Sequence, residues 1–278
     1  MSKLDTYHIM VVSKYFETIG DFIKLETVCK KYKNTMKKFH YNPVPVTDKT
    51  INYFSKIETL YLYHKEDEIL KNLFLINTPN SDYCEKTHKP KNKGAIKKYY
   101  RIIVWFNVDF TIVDKNKKYK NVIFKNVTYT KHDRETFGDT IPLIVKSIGE
   151  KCFYFNTTLI NLTVPSNVTL FGDYCFCHCK NLVGVILQPT VTKLSYGCFA
   201  MCEELKSIEI PLSVVSIGDY CFFECYSLIN ITITSNVKSI GFGCFGECYA
   251  LTTVNIFSLD VSIDSESFPI NTEVHYIY

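Results

Sequence analysis

Hydrophobic and polar positions recur every 23 residues through the second half of the chain. The repeat is clearest in a paired cysteine and phenylalanine, at Cys152-Phe153, Cys175-Phe176, Cys198-Phe199, Cys221-Phe222 and Cys244-Phe245, with Ser267-Phe268 in the same register. A leucine column keeps the same spacing, at Leu159, Leu182, Leu205, Leu228 and Leu251. A fixed period in this range predicts a solenoid, because each coil can bury its apolar face only by stacking on its neighbours.

Each repeat contains one segment that predicts a strand and one that predicts a tight turn. Residues 205–210 alternate apolar and polar side chains at the end of the segment, and the equivalent segments are expected to pair as a parallel sheet. At ~4.8 Å between neighbouring strands, five copies make a ribbon roughly 20 to 25 Å long. In residues 217–225, the spacing of Cys221 and Cys225 predicts a short helical turn with both thiols facing inward.

A glycine column precedes the cysteine and phenylalanine pairs. Its members are Gly149, Gly172, Gly218 and Gly241, with Ser195 as the exception. The column lies where the chain turns into the helical segment. Glycine at this point predicts either an unusual backbone angle or close packing against a neighbouring coil.

The same spacing predicts a last strand at the end of the array. Val274 and Ile277 lie 23 residues after Leu251 and Val254, which belong to the preceding copy. Their apolar side chains are therefore expected to face inward and to extend the sheet by one strand.

These residues resemble the BspA-like type of leucine-rich repeat, whose units read roughly Leu-x-x-Ile-x-Ile-Pro, Val-x-x-Ile-Gly, and then a small residue, Phe and x-x-Cys. The resemblance covers residues 141–278, with cysteine in the small-residue position. The strand-ending proline is kept at Pro142, Pro165 and Pro211, and Gln188, Thr234 and Phe257 depart from it. The resemblance implies an α/β leucine-rich-repeat solenoid with a 23-residue period, parallel strands on one face and short helical turns on the other.

The first 42 residues predict a small helical N-terminal cap. Apolar residues recur at three- and four-residue spacing, at Ile9, Val12, Phe16 and Ile19 and then at Phe22, Leu25, Val28 and Tyr32. Gly20-Asp21 is expected to interrupt the first helix, and Asp21 to cap the second. Such a segment can cover the open end of a solenoid, which repeat proteins require.

Residues 9–36 are also similar to an F-box, on the segments 12–16, 21–25 and 28–32. The Leu-Pro that usually opens an F-box is absent. The resemblance implies that residues 9–36 bind a Skp1-like adaptor, and that the protein selects substrates for ubiquitin ligation. Capping and adaptor binding therefore stand as two alternatives for residues 1–42.

Residues 43–140 predict an irregular connecting and capping region. Its apolar segments at 57–63, 102–106 and 122–124 resemble strands without the 23-residue spacing, so we interpret them as degenerate coils. A basic stretch near residues 86–101 predicts a solvated surface loop that is open to proteases.

Charge is distributed unevenly, although the net value is only +4. Residues 1–144 carry 26 Lys and Arg against 16 Asp and Glu, a net of +10, whereas residues 145–278 carry 6 against 12, a net of −6. The lysines of the first part are mixed with Glu and Asp, so no nucleic-acid partner is expected.

The sequence also bears on where the protein resides. No segment approaches the roughly 20 apolar residues of a membrane span, and the first residues lack the uncharged stretch of a secretory signal. The cytoplasm is therefore the expected location, and the cell surface, reached by a route not visible in the sequence, is the alternative. In the cytoplasm the 12 cysteines are expected to be reduced thiols.

No pattern in the sequence predicts catalysis, a metal site or a cofactor. It contains no phosphate-binding glycine loop, no His-Glu-x-x-His and no nucleophile elbow. Cys175, Cys177 and Cys179 lack the paired spacing of zinc ligands, and two of them recur because the coil recurs. The neighbouring His178 is interpreted as a surface residue. We therefore expect a protein that is not an enzyme.

The outward positions of the predicted strands are the candidate binding face. They form two columns whose residues vary while the inward residues repeat: Asn161, Gly184, Ser207, Asn230 and Thr253, and Thr163, Ile186, Glu209, Thr232 and Asn255. This mostly uncharged face favours hydrogen bonding to a protein or peptide over binding of a polyanion. We expect a protein-protein interaction scaffold, with a ubiquitin-ligase adaptor and a cell-surface adhesion protein of the BspA-like type as alternatives.

Overall fold

The computed structural model describes residues 6–28, 30–67, 99–258 and 260–277. The chain forms two compact units, and the boundary lies between Asn126 and Val127. The second unit therefore begins ahead of the first repeat. Most of the basic loop predicted near residues 86–101 lies outside the described residues.

The first unit begins with two short helices, α1 (Thr6–Val12) and α2 (Ile19–Val28). The helical nature of this segment is predicted correctly, but two details are wrong. Gly20 does not separate the helices, because it lies in the first turn of α2. Asp21 is not the capping residue: its carboxylate accepts hydrogen bonds from Oγ1 and the backbone N of Thr18, at 2.9 and 3.0 Å. These bonds, the hydroxyl bond foremost, hold the pKa of Asp21 below its usual value.

Aromatic rings form the core beside α2. Phe22 is fully buried, and its ring meets those of Phe16, Phe39 and Phe54 edge to face, with centroids 5.0, 5.7 and 5.6 Å apart. Such pairs are favourable because the positive edge of one ring meets the negative face of the other. The helical spacing therefore identifies Phe22 correctly as core, whereas Val28, predicted on the same side, is exposed.

Parallel strands complete the first unit. It contains β1 (Thr59–Leu62), β2 (Arg101–Asp109), α3 (Phe110–Asn116) and the start of β3 (Val122–Tyr129). β1 and β2 pair in parallel, with Tyr61 beside Ile103. The structure confirms all three predicted strands. β2 and β3 run longer than the apolar segments that predict them, because polar residues such as Asn107 continue the strand.

In the second unit, successive coils contribute strands to two parallel ladders. The first ladder consists of β5 (Asn161–Thr163), β7 (Gly184–Ile186), β9 (Ser207–Ile208), β11 (Asn230–Ile233), β13 (Thr253–Ile256) and β15 (Glu273–Tyr276). The second consists of β4 (Ser147–Ile148), β6 (Leu170–Phe171), β8 (Lys193–Leu194), β10 (Ser216–Ile217), β12 (Ser239–Ile240) and β14 (Ser262–Ile263). It is divided, because β4 pairs with β6 whereas β8, β10, β12 and β14 form a separate sheet. The first ladder, divided into the sheets β5-β7-β9 and β11-β13-β15, confirms the predicted strands. Sequence reasoning missed the second ladder, because two-residue strands are too short to show alternation.

A short helix, α4 (Lys131–Phe137), covers the start of the second unit. It begins at a capping box in which Thr130 Oγ1 accepts a hydrogen bond from the third helical residue at 3.2 Å. Arg134 donates from Nε to the carbonyl oxygen of Cys152 at 2.7 Å, and its guanidinium lies 5.7 Å from the centroid of the Phe153 ring. The helix therefore covers the end of the aromatic core that the first coil would otherwise expose.

Phenylalanine rings, one from each coil, stack along the core of the second unit. They belong to Phe153, Phe176, Phe199, Phe222, Phe245 and Phe268, and neighbouring centroids are 5.1, 5.2, 5.5, 5.2 and 5.3 Å apart in that order. The thiols beside the rings face inward, as predicted. Cys225 Sγ donates to the carbonyl oxygen of Phe199 in the preceding coil at 3.2 Å, and Cys179, Cys202 and Cys248 make equivalent bonds.

The segment opposite the first ladder is not the helical turn that was predicted. Two residues in each of the first five coils, and one in the last, adopt left-handed backbone angles. They form the columns Lys151, Tyr174, Gly197, Tyr220, Gly243 and Glu266, and Phe155, His178, Met201, Glu224 and Glu247. The amides alternate between two partners. Cys221 N donates to Gly218 O of its own coil at 3.3 Å, whereas Phe222 N donates to Cys244 O of the next coil at 2.8 Å. The turns therefore hydrogen-bond the coils together, which a helical turn would not do.

Close packing, the second of the two predicted alternatives, explains three of the four glycines in the column. The exception is Gly149, where the nearest atoms would lie at an ordinary 3.4 Å from a Cβ. A Cβ atom at Gly218 would lie 2.9 Å from the backbone carbon of Ser195 in the preceding coil. At Gly172 and Gly241 it would overlap the backbone nitrogens of Glu150 and Asp219. The left-handed angles occur elsewhere in the turn.

The turn after each first-ladder strand keeps its hydrogen bond with or without proline. Val214 N donates to Pro211 O at 3.0 Å, and Val237 N donates to Thr234 O at 3.1 Å. The departure from proline at Thr234 therefore leaves this turn in place.

The last strand is present, but its predicted register is wrong. Val274 pairs with Val254, 20 residues earlier, and not with Leu251. The final coil keeps the 23-residue spacing as far as Phe268 and then has three residues fewer before the strand. The shorter connection, which contains Pro269, moves β15 along the ladder.

Candidate functional site

The ten residues of the predicted binding face lie on the outward side of the first ladder. The register places Asn161 beside Gly184, and Gly184 beside Ser207. Inward neighbours such as Leu162 and Val185 are buried. The outward side chains, which we call the strand face, are all exposed or half-buried: Asn161, Thr163, Gly184, Ile186, Ser207, Glu209, Asn230, Thr232, Thr253 and Asn255.

Part of the strand face forms a shallow groove of about 530 Å³. Six of the ten residues line it, namely Asn161, Thr163, Gly184, Ile186, Ser207 and Glu209. The other four, Asn230, Thr232, Thr253 and Asn255, lie on the sheet β11-β13-β15 and do not line this groove. A Cβ atom at Gly184 would lie 3.1 Å from Asn161 Oδ1, so a larger residue there would require the Asn161 side chain to shift.

The groove combines one exposed apolar side chain with a hydrogen-bonding rim. Ile186 is 61% exposed, more than any other large apolar side chain in the described strands. Thr163 and Ser207 supply hydroxyl groups nearby, and Glu209 supplies a carboxylate. An apolar centre with a polar rim is the usual composition of a protein-binding surface. The sequence pattern identifies the column, but it does not show that Ile186 stands out from it.

The thiols and His178 have surroundings that favour their neutral forms. The ten cysteines in the described residues of the repeats are buried and unpaired with one another. Burial raises the pKa of Cys152 and Cys179 to about 12 and that of Cys177 to about 11. The sequence predicts His178 at the surface, but the structure places it half-buried. Its ring stacks on that of Phe155, with centroids 4.1 Å apart. Burial lowers the pKa of His178.

Within residues 6–28, 30–67, 99–258 and 260–277, no three His, Cys, Asp or Glu side chains come together as metal ligands. No helix in the described part of the chain is long and apolar enough to cross a membrane.

The segment that resembles an F-box presents a second exposed surface. A groove of about 610 Å³ lies between residues 15–18 and α2, and Tyr15, Phe16, Leu25 and Val28 supply its apolar lining. Tyr15 is 84% exposed and Val28 is 79% exposed. The helical spacing predicts Val28 as an inward residue, so this surface was missed.

The repeats match a known family. Residues 146–274 match the family model for the BspA type leucine-rich repeat region, in six copies. Together with the 23-residue coils and the parallel ladders, this match shows that this part of the chain is a BspA-type leucine-rich repeat region. No curated protein matches the chain.

Solved structures of leucine-rich repeat proteins are similar to the chain. The T. pallidum leucine-rich repeat protein is 28% identical, over 47% of this chain and 58% of that one, with a TM-score of 0.40. A leucine-rich repeat protein from Bacteroides ovatus is 24% identical, over 65% and 56%, with a TM-score of 0.42. A leucine-rich cell surface protein from Faecalibacterium prausnitzii is 24% identical, over 55% and 43%, with a TM-score of 0.35. The chain thus spans less than two thirds of each of these proteins.

Proposed function

We propose that the protein is an interaction scaffold that binds a protein or peptide through the strand face. The observation that carries this proposal is the exposed Ile186 in the groove, beside Gly184 of its own strand and between the coils that present Asn161 and Ser207. Burial of an exposed isoleucine favours association, and the surrounding hydroxyl and amide groups can hydrogen-bond to a partner backbone.

The geometry of the ladder suits a partner that lies along the repeats. Successive strands present equivalent positions at ~4.8 Å intervals, so one partner can contact several coils. Inward positions are fixed by packing, whereas outward positions are free to vary with the partner. The surface is nearly uncharged apart from Glu209, which fits a partner that is recognised by shape and hydrogen bonds.

The test is capture of partners by the full chain and by two matched variants. Ile186→Asp places a charge in the groove, and Leu212→Asp places the same charge at a residue of equal exposure, 62% against 61%, outside it. We expect Ile186→Asp to weaken capture roughly tenfold or more, and Leu212→Asp to leave it unchanged. Equal capture by both variants contradicts binding through the groove.

A second candidate function is adaptor binding through the N-terminal helices. Tyr15 and Val28 favour it, because large apolar side chains this exposed are typical of surfaces that bind a partner helix. If residues 9–36 bind a Skp1-like adaptor, Tyr15→Ser is expected to abolish its co-purification. Tyr53→Ser, at an exposed tyrosine outside the segment, is the control. Loss in both variants, or recovery in both, contradicts this function.

Adhesion at the cell surface is the remaining alternative. It requires that intact cells expose the strand face to the medium. Labelling of intact cells with a membrane-impermeant amine reagent is the test, because Lys206, beside the strand face, is exposed. A protein that is labelled only after lysis contradicts adhesion and agrees with the expected cytoplasmic scaffold.

A further inference from the structure

The first unit contains a row of rings that crosses its sheet. The ring of Tyr61 stacks on that of Tyr41, with centroids 5.1 Å apart, and meets the ring of Trp105 edge to face at 6.1 Å. The ammonium of Lys125 lies 5.9 Å from the centroid of the Trp105 ring. The row, which we call the aromatic row, therefore runs from Tyr41 through β1 and β2 to Lys125 on β3.

The aromatic row is held in place by the backbone beneath it. Asn42 is fully buried, and its side chain accepts a hydrogen bond from Tyr61 N at 2.7 Å and donates one to Tyr61 O at 2.8 Å. From the neighbouring strand β3, Asn126 Nδ2 donates a hydrogen bond to the carbonyl oxygen of Trp105. The rings are therefore preorganised, and Trp105 still leaves 42% of its side chain exposed.

Positive charge predominates in the sequence of the first unit, and two cations lie on the face of the aromatic row. Residues 1–126 carry 24 Lys and Arg against 13 Asp and Glu, a net of +11, whereas residues 127–278 carry 8 against 15, a net of −7. Arg101 lies on the same face of β2 as Trp105, and both Arg101 and Lys125 are exposed. Rings and cations are thus combined on one surface of the basic unit.

We infer that the aromatic row binds single-stranded nucleic acid. Unpaired bases stack on exposed aromatic rings, and phosphates pair with the adjacent lysine and arginine side chains. A duplex satisfies only the charges, because its bases are already stacked on one another. The sequence predicts no nucleic-acid partner, because the lysines are mixed with acidic residues. It does not bring together Tyr61 and Trp105, which are 44 positions apart in the chain.

The test uses the full chain and its one tryptophan, which lies in the row. A labelled 15-nucleotide oligothymidine is titrated against the protein, and both the anisotropy of the label and the fluorescence of Trp105 are recorded. We expect binding to quench the tryptophan, because a thymine stacks on its ring. We also expect a duplex of the same length to bind more weakly, without quenching.

Variants separate stacking from charge. Trp105→Ala is expected to weaken oligothymidine binding about tenfold or more, and Tyr249→Ala, at an exposed stacked tyrosine of the second unit, to leave it unchanged. Lys125→Ala is expected to reduce the slope of log affinity against log salt by about 0.7. Circular dichroism checks that each variant is folded.

Three results of the oligothymidine titrations overturn the inference. They are absence of binding, equal binding of oligothymidine and heparin without quenching, and an unchanged affinity in folded Trp105→Ala. A protein partner whose capture is lost in Trp105→Ala, when oligothymidine does not compete for it, also overturns the inference and assigns the row to that partner.

Discussion

Replacement of one ring in the phenylalanine stack tests whether the stack holds the coils together. Phe222 is fully buried between Phe199 and Phe245, with centroids 5.5 and 5.2 Å away and planes within 6° and 5° of parallel. Phe222→Ala removes the transfer free energy of the ring and leaves a cavity, which costs about 3–5 kcal/mol. Part of this cost is the loss of two ring pairs, each worth about 0.5–1.5 kcal/mol.

The position of the ring in the stack determines the size of the effect. Phe268, at the end, is half-buried and has one ring neighbour, Phe245 at 5.3 Å. Phe268→Ala is therefore expected to cost about half as much as Phe222→Ala, because only one coil interface is lost. Phe257 is exposed, and Phe257→Ala is expected to stay within about 0.5 kcal/mol of the parent.

Urea unfolding followed by far-ultraviolet circular dichroism measures these differences. With a slope of about 2 kcal/mol per molar urea, Phe222→Ala is expected to lower the midpoint by about 2 M, and Phe257→Ala by about 0.3 M or less. Hydrogen exchange at the amides of the neighbouring coils gives a second, local readout. A Phe222→Ala midpoint as close to the parent as that of Phe257→Ala would refute the reasoning.

Three further predictions concern packing and protonation. Gly172→Ala is expected to destabilise the second unit by about 2 kcal/mol or more, because the added Cβ would overlap Glu150. Gly149→Ala is the matched control, since its nearest contact would be 3.4 Å. Equal urea midpoints for the two variants would contradict close packing at Gly172. Thr130→Ala removes the cap of α4 and is expected to cost about 1 kcal/mol in the same assay, whereas Thr130→Ser is expected to restore most of it. Burial raises the pKa of nine repeat thiols above the ordinary value of 9.0, so the folded state holds these protons more tightly than the unfolded state. The contribution of these thiols to the free energy of unfolding is fully present below about pH 9. Above pH 9 the free energy of unfolding is expected to fall by up to about 1.4 kcal/mol per pH unit for each thiol. Equal free energies of unfolding at pH 8 and pH 10 would contradict this prediction.

The parts of the fold that depend on repetition could be predicted from the sequence. The 23-residue columns identify the buried phenylalanines, the inward thiols and the first ladder, because every coil must satisfy the same packing. The backbone of the turn could not be predicted in this way. A four-residue spacing such as that of Cys221 and Cys225 suits a helix, but it also suits a turn with left-handed residues at Tyr220 and Glu224.

The candidate site was predictable in part for the same reason. Period-two alternation decides which side chains face outward, so the columns through Asn161 and Thr163 are correctly placed. Alternation does not show that three neighbouring strands form a groove, or which outward side chain is the most exposed. In the first unit there is no repeat, so the meeting of Tyr41, Tyr61 and Trp105 could be seen only in the structure.

The most direct test of the strand face as a binding surface is photocrosslinking from single positions. A benzophenone amino acid is placed at position 186 in one protein and at position 212 in another, and both are irradiated in native lysate. A covalent adduct with a partner is expected from position 186, and none from position 212. An adduct from position 212 alone, or the same adduct from both, would contradict it.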